Sequence, residues 1–215
     1  MNRAICFQVN SPIRFYSVSP RSPGLQVYAV YIIIGHITNL QHAGNPDERL
    51  TGEMILGQEN MTFRFAQKED AALILHFIRE LAKYEKRPDQ VFATEEMITE
   101  WLFEKERAEA FFLVVDGKEI GYALFFHNFS TFSGRGGIYL EDLYVDPDFR
   151  GRGYGKASLQ QLARIASERG CNRMEWTCLD WNKPSLDFYQ SLGAHPKEGC
   201  VAFRLEGDAL NKLAE

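Results

Sequence analysis

The sequence lacks the clustered cysteines of a zinc-binding or disulfide-stabilised protein. Its four cysteines are Cys6, Cys171, Cys178 and Cys200, and they form neither a CxxC pair nor a cluster with histidines. Isolated cysteines of this kind are typical of reduced thiols in a cytoplasmic protein. We therefore expect no metal site and a cytoplasmic location.

Long hydrophobic runs and a positive net charge are absent as well. The longest apolar run, Val27–Ile34, is too short to span a bilayer. The net charge of the 215 residues is −5 at pH 7, whereas a protein held on nucleic acid by phosphate contacts carries basic patches. These features predict a soluble globular protein that binds neither a membrane nor nucleic acid.

Acidic residues are missing from the first part of the chain. No Asp or Glu precedes Asp47, while Ser, Pro and Arg are frequent. This composition is compatible with a disordered segment, with an organelle targeting peptide, or with upstream sequence translated ahead of a natural start at Met61. We therefore predict an N-terminal extension over residues 1–60 and one folded domain over residues 61–215.

From Met61 onward the pattern of apolar residues is regular. Alternating or β-branched runs predict strands, and apolar residues at i, i+3, i+4 and i+7 predict amphipathic helices. Asp116-Gly117 between two apolar runs predicts a β-hairpin, and "CVAFRLEG" (200–207) is expected to form a closing strand. The predicted order, β-α-α-β-β-β-α-β-α-β, indicates an α/β fold with a mixed central sheet flanked by helices.

Three alternating glycines in "DFRGRGYGK" (148–156) stand between a predicted strand and a predicted helix. Glycine leaves backbone amides open to a ligand, and the start of the helix adds the positive end of its dipole. Together these features favour an anionic phosphate group. The spacing matches neither a Walker A loop nor GxGxxG. Taken alone it is equally compatible with a flexible turn or an RNA contact, but its position between strand and helix favours phosphate.

The stretch "YVDPDFRGRGYGKASL" (144–159) resembles the acetyl-CoA motif of the GNAT superfamily of N-acetyltransferases. The family pattern Arg/Gln-x-x-Gly-x-Gly/Ala corresponds to Arg150, Gly153 and Gly155. Within the superfamily, "IRELAKYE", "YLEDLYV" and "LDWNKPSLDFYQSLGA" resemble the spermidine/spermine (diamine) and thialysine N-acetyltransferases. The resemblance covers residues 61–215 and implies the GNAT acyltransferase fold.

The resemblance implies that acetyl-CoA is the cosubstrate and indicates which residues bind it. The backbone of Leu143, Tyr144 and Val145 would pair with the pantetheine arm. Asn182 would contact the same arm, and capping a helix is a compatible alternative role for it. The glycine-rich turn would hold the diphosphate through Arg150, Gly151, Arg152, Gly153, Tyr154, Gly155 and Lys156.

The resemblance also implies which residues act on the thiol and the amine. Tyr189 matches the family's proton donor to the departing CoA thiolate, and Glu141 matches its proposed base. Asp142 and Glu85 match positions that hold the cationic substrate. By residue type alone, a core tyrosine and solvated surface acids are the alternatives. Neighbours on a regular strand face opposite sides, so Glu141 and Asp142 would share a site only if a β-bulge lies there.

The activity that the resemblance implies is acetyl transfer to a primary amine of a small molecule, by direct attack in a ternary complex. The amine would be a diamine, a polyamine or a thialysine-like lysine analogue. Where polyamine acetyltransferases carry an acid and a Trp, this chain has "STFSGRGG" (130–137), which favours a lysine-like amine. The family is dimeric, so we expect a homodimer. A peptide or protein N-acetyltransferase and a non-catalytic acyl-CoA-binding module are the alternatives.

Overall fold

The computed structural model describes residues 54–56 and 59–215. The extension predicted over residues 1–60 lies almost wholly outside these residues and stays a prediction. Strand β1 (Met54–Leu56) pairs with strand β2 (Glu59–Phe65), with Met54 opposite Met61. The sheet therefore already begins before Met61, where the sequence analysis places the start of the domain.

Six strands form one mixed sheet in the order β1-β2-β3-β4-β5-β6. Strands β1 to β5 are antiparallel neighbours, whereas β6 runs parallel to β5. The mixed central sheet predicted from the sequence is confirmed. The remaining strands are β3 (Glu109–Val115), β4 (Lys118–Ser130), β5 (Arg135–Val145) and β6 (Met174–Trp176).

Five α-helices accompany the sheet within residues 59–215. In that part of the chain, no helix combines the length and the apolar composition needed to cross a bilayer. The second helix continues directly as a π-helix over Thr99–Glu104. The helices are α1 (Ala71–Tyr84), α2 (Glu95–Ile98), α3 (Tyr154–Glu168), α4 (Lys183–Ser191) and α5 (Gly207–Leu213).

Alternate side chains of the central strands supply two hydrophobic cores, one on each face of the sheet. Phe111 packs in the core that contains Leu162 and Ile165 of α3. The next residue of β3, Phe112, packs in the core that contains Phe77 of α1. This alternation follows from the two-residue repeat of a strand, and it explains why both of these neighbouring phenylalanines are fully buried.

The predicted hairpin is present between β3 and β4. Strand β3 ends at Val115 and β4 begins at Lys118, which leaves a two-residue turn. Asp116 has φ 49° and Gly117 has φ 80°. Positive φ at both positions is what a type I′ turn requires, and Asp-Gly is one of the pairs that adopts it readily.

A β-bulge interrupts β5 where the sequence analysis required one. Leu124 of β4 lies opposite Asp142 and Phe125 lies opposite Leu140, so Glu141 has no partner. The extra residue reverses the alternation of side chains along β5. Leu140 packs in the α3 core, whereas beyond the bulge Asp142 is hydrogen-bonded to a side chain of the α1 core.

The prediction that residues 200–207 form a closing strand is wrong for the single chain. Residues 200–206 have no regular secondary structure, and a short helix, α5, follows them. A strand needs a hydrogen-bonded neighbour, and this segment has none within the described chain. Its alternating apolar side chains remain exposed, with Val201 at 77% and Phe203 at 93%.

Candidate active site

A cavity of about 200 Å³ opens where β5 parts from β6. The two strands pair only from Ile138 to Leu140, opposite Met174 to Trp176. Beyond the bulge, the edge of β5 that faces β6 therefore has no neighbouring strand. The predicted site residues that line this cavity are Glu85, Glu141, Asp142, Leu143, Tyr144, Val145, Arg150, Gly155, Asn182 and Tyr189.

The other predicted cofactor residues form the turn that leads into α3 and the first turn of that helix. Gly151 and Gly153 have φ 78° and 89°, a backbone conformation that only glycine adopts without strain. A Cβ atom added to either would meet nothing within 4 Å, so the space in front of this turn is open. The first amides of a helix have no acceptor within it. An open turn at the start of a helix fits a diphosphate group.

Three side chains of this turn are already placed by the protein itself. The Arg150 Nε donates to the carbonyl of Val145 at 2.8 Å. Arg152 donates to the carbonyl of Asp148 at 3.0 Å. Tyr154 is buried in the α3 core, so only its backbone can serve a ligand. Lys156 is exposed.

Asn182 both caps α4 and closes one side of the cavity. It is 8% exposed, and its Oδ1 accepts from the amide of Ser185 at 3.4 Å. The same oxygen accepts from the hydroxyl of Tyr84 at 3.1 Å. Because Oδ1 is held by two donors, the amide nitrogen of Asn182 is the part of the side chain left for a ligand. The predicted capping role is thus present.

Three carboxylates, Glu85, Glu141 and Asp142, lie on the acidic wall of the cavity. Burial is the main cause that raises the pKa of each above its ordinary value. The Asp142 charge raises the pKa of Glu85 and of Glu141 further. A cation placed among them would relieve this repulsion, so the wall suits a protonated amine.

Tyr189 faces the cavity from α4. Burial, followed by the neighbouring Cys178 and Tyr84, raises the pKa of Tyr189 to about 12. The edge of its ring packs against Trp176 at 5.1 Å between centroids, and Phe188 lies beside it. The phenol is thus fixed in place and remains protonated at neutral pH, so it can donate a hydrogen bond.

Sequence reasoning missed three residues around the cavity. Tyr84 holds Asn182 and lies under the guanidinium of Arg150, 4.6 Å from its ring. Cys178 lines the cavity, and Tyr122 bonds to Asp142 from beneath. The one indication of Tyr84 in the sequence was its position directly before Glu85. Tyr122 lies in an apolar run that is typical of a core strand, and Cys178 lies in "RMEWTCL", which predicts a strand and gives no sign of a site.

Within residues 59–215, no group of three or more histidine, cysteine, aspartate or glutamate side chains is arranged to hold a metal ion. The cavity instead combines a fixed phenol with an acidic wall, and the open glycine-rich turn lies between Arg150 and Gly155, which line the cavity. This arrangement can bind a phosphorylated carrier at one end and a cationic amine at the other.

The family model described as "Acetyltransferase (GNAT) family" matches residues 75–194. The thialysine N-epsilon-acetyltransferase of Bos taurus is 38% identical over 171 residues, which cover 70% of this chain and 95% of that protein. The L-ornithine N5-acetyltransferase NATA1 of Arabidopsis thaliana is 37% identical over 93 residues, covering 43% of this chain and 41% of that protein.

A solved structure has a similar fold. The integron cassette protein VCH_CASS6 from the mobile metagenome of V. cholerae superimposes with a TM-score of 0.62. It is 28% identical, and the match covers 72% of this chain and 98% of that one. The fold, the glycine-rich turn and the family model agree with one another. The chain therefore belongs to the GNAT family of acetyltransferases and is an acetyl-CoA-dependent N-acetyltransferase.

Proposed function

We propose that the protein acetylates a primary amine of a small molecule by direct attack on acetyl-CoA in a ternary complex. The observation that carries this proposal is the position of Glu85, Glu141 and Asp142 in the same cavity as Tyr189. The acids suit a protonated amine, and the phenol suits the sulfur that leaves. Both must be close together for a one-step transfer.

Acetyl-CoA would lie along the edge of β5 that has no neighbouring strand. The amides of the turn around Gly151 and Gly153 hold its diphosphate, and the backbone of Leu143, Tyr144 and Val145 faces its pantetheine arm. The Asn182 amide nitrogen contacts the same arm. When bound, acetyl-CoA supplies the thioester whose carbonyl carbon the amine attacks.

The acids prepare the amine for that attack. An amine with a pKa of about 10.4 needs roughly 4–5 kcal/mol to lose its proton at pH 7. Asp142 and Glu85 bind the ammonium group, and Glu141 accepts its proton, directly or through water. The raised pKa of Glu141 makes it a better proton acceptor than an ordinary glutamate once it is ionised. The nitrogen then bonds to the carbonyl carbon, and the carbon–sulfur bond breaks.

Tyr189 stabilises the thiolate that leaves. Complete proton transfer from a phenol of pKa about 12 to a thiolate of pKa about 8.5 would cost about 5 kcal/mol. A hydrogen bond to the developing sulfur charge has no such cost. We infer that Tyr189 donates this hydrogen bond. Once bonded to the carbonyl carbon, the nitrogen releases a second proton to water as the amide forms, and the CoA thiolate takes up a proton from water to become the thiol.

The substrate is best sought among lysine-like amines and short diamines. The relatives named above act, by their names, on thialysine and on L-ornithine, which are amino acids with a side-chain amine. None of residues 130–137, where a polyamine enzyme would carry an extra acid, lines the cavity. Three carboxylates in about 200 Å³ suit a compact dication better than a long polycation.

We also propose that the protein is a cytoplasmic homodimer. Val201, Phe203 and Leu205 point out of the single chain at alternate positions, at 77%, 93% and 47% exposure. This pattern is that of a half-buried strand without its neighbour. A second copy of the chain would supply the neighbour and cover these side chains.

An amine panel tests the proposed activity. Purified protein with acetyl-CoA would be offered thialysine, ornithine, lysine, spermidine and a peptide with a free N-terminus, and released thiol would be measured. We expect the fastest turnover on thialysine or ornithine. Turnover on the peptide alone would establish a peptide N-acetyltransferase instead. Binding of acetyl-CoA without turnover on any amine would establish a non-catalytic acyl-CoA-binding module.

A further inference from the structure

We propose that Tyr122 is a positioning residue for the acceptor amine: its buried hydroxyl holds one oxygen of Asp142 and leaves the other to bind the substrate's ammonium group. This inference rests on the proposed function, in which Asp142 binds the amine. Tyr122 itself does not line the cavity and does not touch the substrate.

The hydrogen bond that carries the inference joins two strands beneath the cavity. The Tyr122 hydroxyl, on β4, donates to Oδ2 of Asp142 at 2.5 Å. The tyrosine is 0% exposed, and its ring stacks on Phe77 of α1 with 5.5 Å between centroids and 13° between planes. Burial and this stacking thus hold the ring, and with it the hydroxyl oxygen, in place.

The bulge in β5 is what makes this contact available. In a regular strand, without the bulge, Asp142 would share a face with Leu140 and would point into the α3 core. The bulge instead places Asp142 on the face of Tyr122 and Tyr144, which pair directly across β4 and β5. The same irregularity therefore brings Glu141 to the cavity and Asp142 to its tyrosine.

The charged groups near Asp142 leave Tyr122 as its sole donor among the described residues. Glu141 on β5 and Glu85 at the end of α1 face it, and both are acids. Two arginines act on these neighbouring acids: Arg87 lowers the pKa of Glu85, and Arg204 lowers that of Glu141.

Two further ionisable groups complete the surroundings and do not replace the tyrosine. Burial, followed by the Glu85 charge, raises the pKa of the thiol of Cys178, in the segment after β6. The pKa of Tyr122 is raised well above its ordinary value, first by burial and then by Asp142. Tyr122 therefore keeps its proton throughout the working pH range and acts as a donor, never as a base.

The hydrogen bond opposes the effect of burial on Asp142. Burial raises the pKa of this carboxyl, and the Tyr122 hydroxyl lowers it. Removing the hydroxyl leaves burial unopposed, so the carboxyl stays protonated to a higher pH. A neutral carboxyl binds an ammonium group poorly, and the loss should be greatest at the acidic end of the pH range.

The experiment compares Tyr122→Phe with wild type, using the amine that the panel finds fastest. We expect the KM for the amine to rise about tenfold or more near neutral pH, since a hydrogen bond to a charged group has that worth. The acidic limb of kcat/KM should move to higher pH, while kcat at saturating amine and high pH changes much less. Tyr139→Phe is the matched control, because Tyr139 is on β5, lies outside the cavity and stacks on Phe126.

A second variant tests whether Tyr122 acts through Asp142. In an Asp142→Asn background the side chain does not titrate, so adding Tyr122→Phe should leave the acidic limb where it is. An unmoved limb in the single variant would overturn the proposal. A shift that persists in the Asn background would overturn it too.

A third measurement separates this inference from the proposed activity. The Asp142 carboxyl carbon can be titrated by NMR in wild type and in Tyr122→Phe, without any substrate. The midpoint should rise in the variant, whether or not an amine is acetylated. An unchanged midpoint refutes the role of Tyr122, and a wild type inactive on every amine refutes only the proposed function.

Discussion

Glu85, Glu141 and Asp142 line one cavity, and within the described residues no lysine or arginine is hydrogen-bonded to any of them. Arg87 and Arg204 offset this repulsion only in part, since the pKa values of Glu85 and Glu141 remain raised, so a bound cation can relieve the rest. Surface acids of a globular protein are usually hydrated or paired. Three that are instead drawn together and partly buried are a departure typical of functional sites.

At Tyr189 we predict that Tyr189→Phe lowers kcat about a hundredfold and leaves the KM for the amine nearly unchanged. The phenyl ring keeps the contacts with Trp176 and Phe188, so only the donor to the leaving sulfur is lost. Thiol release under saturating acetyl-CoA measures the effect, with Tyr139→Phe as control. Unchanged turnover would remove Tyr189 from the mechanism.

The pH dependence of rate gives a companion test. With a pKa of about 12, Tyr189 loses its proton only far above neutral pH. Any alkaline loss of kcat below pH 10 must then come from another group. A loss near pH 9 that disappears in Tyr189→Phe would contradict this assignment.

At Asp142 we predict that Asp142→Asn stabilises the fold, and more so as pH rises. The folded protein holds the Asp142 proton more tightly than the unfolded chain does, because burial raises its pKa. The free energy of unfolding of the wild type therefore falls as pH rises from the Asp142 pKa in the unfolded chain, about 3.9, through the higher Asp142 pKa in the folded protein. The variant does not titrate and keeps its stability.

Thermal unfolding from pH 4 to pH 8 measures this difference. The gap in Tm between Asp142→Asn and wild type should be smallest at pH 4 and level off above the folded pKa. Asp89→Asn, which makes the same change at an exposed position, is the control. A Tm difference that is constant with pH would mean that burial does not destabilise the ionised form of Asp142 in the folded protein.

At the scale of elements, two irregularities create the site, and they differ in how visible they are in the sequence. The glycine-rich turn could be predicted, because its position between a predicted strand and an amphipathic helix favours a phosphate-binding turn. The bulge at Glu141 could be predicted only from the family resemblance. Nothing in the letters of "YLED" indicates which residue lacks a partner, since the register depends on β4 across the sheet.

For the turn, we predict that Gly153→Ala weakens acetyl-CoA binding several-fold and costs about 1–2 kcal/mol of the free energy of unfolding. The added Cβ meets nothing within 4 Å, so the stability cost comes from the backbone at φ 89° alone. Gly134→Ala is the matched control, because Gly134 has φ 62°, is equally uncrowded and lies in the β4–β5 turn.

The two variants should lose similar stability, but only Gly153→Ala should lose cofactor affinity. Thermal unfolding measures the first quantity, and calorimetry with acetyl-CoA measures the second. Equal affinities in both variants would show that this turn does not contact the cofactor.

At the scale of the whole molecule, the C-terminal segment marks the limit of what one chain's sequence predicts. The alternation in "CVAFRLEG" is a genuine strand pattern, and the hairpin at Asp116-Gly117 was confirmed from the same kind of signal. The hairpin supplies its own partner strand sixteen residues or fewer away in the sequence. Residues 200–206 need a partner that β6, with only three residues, does not supply. Periodicity predicts which face of a strand is buried but not which molecule buries it.

We therefore expect Phe203→Asp to weaken a homodimer. Phe203 is 93% exposed in the single chain, so the substitution should leave the fold of a protomer intact. In a dimer that covers this side chain, an unpaired carboxylate would be buried at a cost of about 3 kcal/mol, which corresponds to roughly a hundredfold in the dissociation constant. Sedimentation velocity over a range of concentrations measures the shift. Phe132→Asp is the matched control, since Phe132 is equally exposed but lies in the β4–β5 turn. Sedimentation of the wild type as a monomer, or equal weakening by both substitutions, would rule out residues 200–206 as the interface.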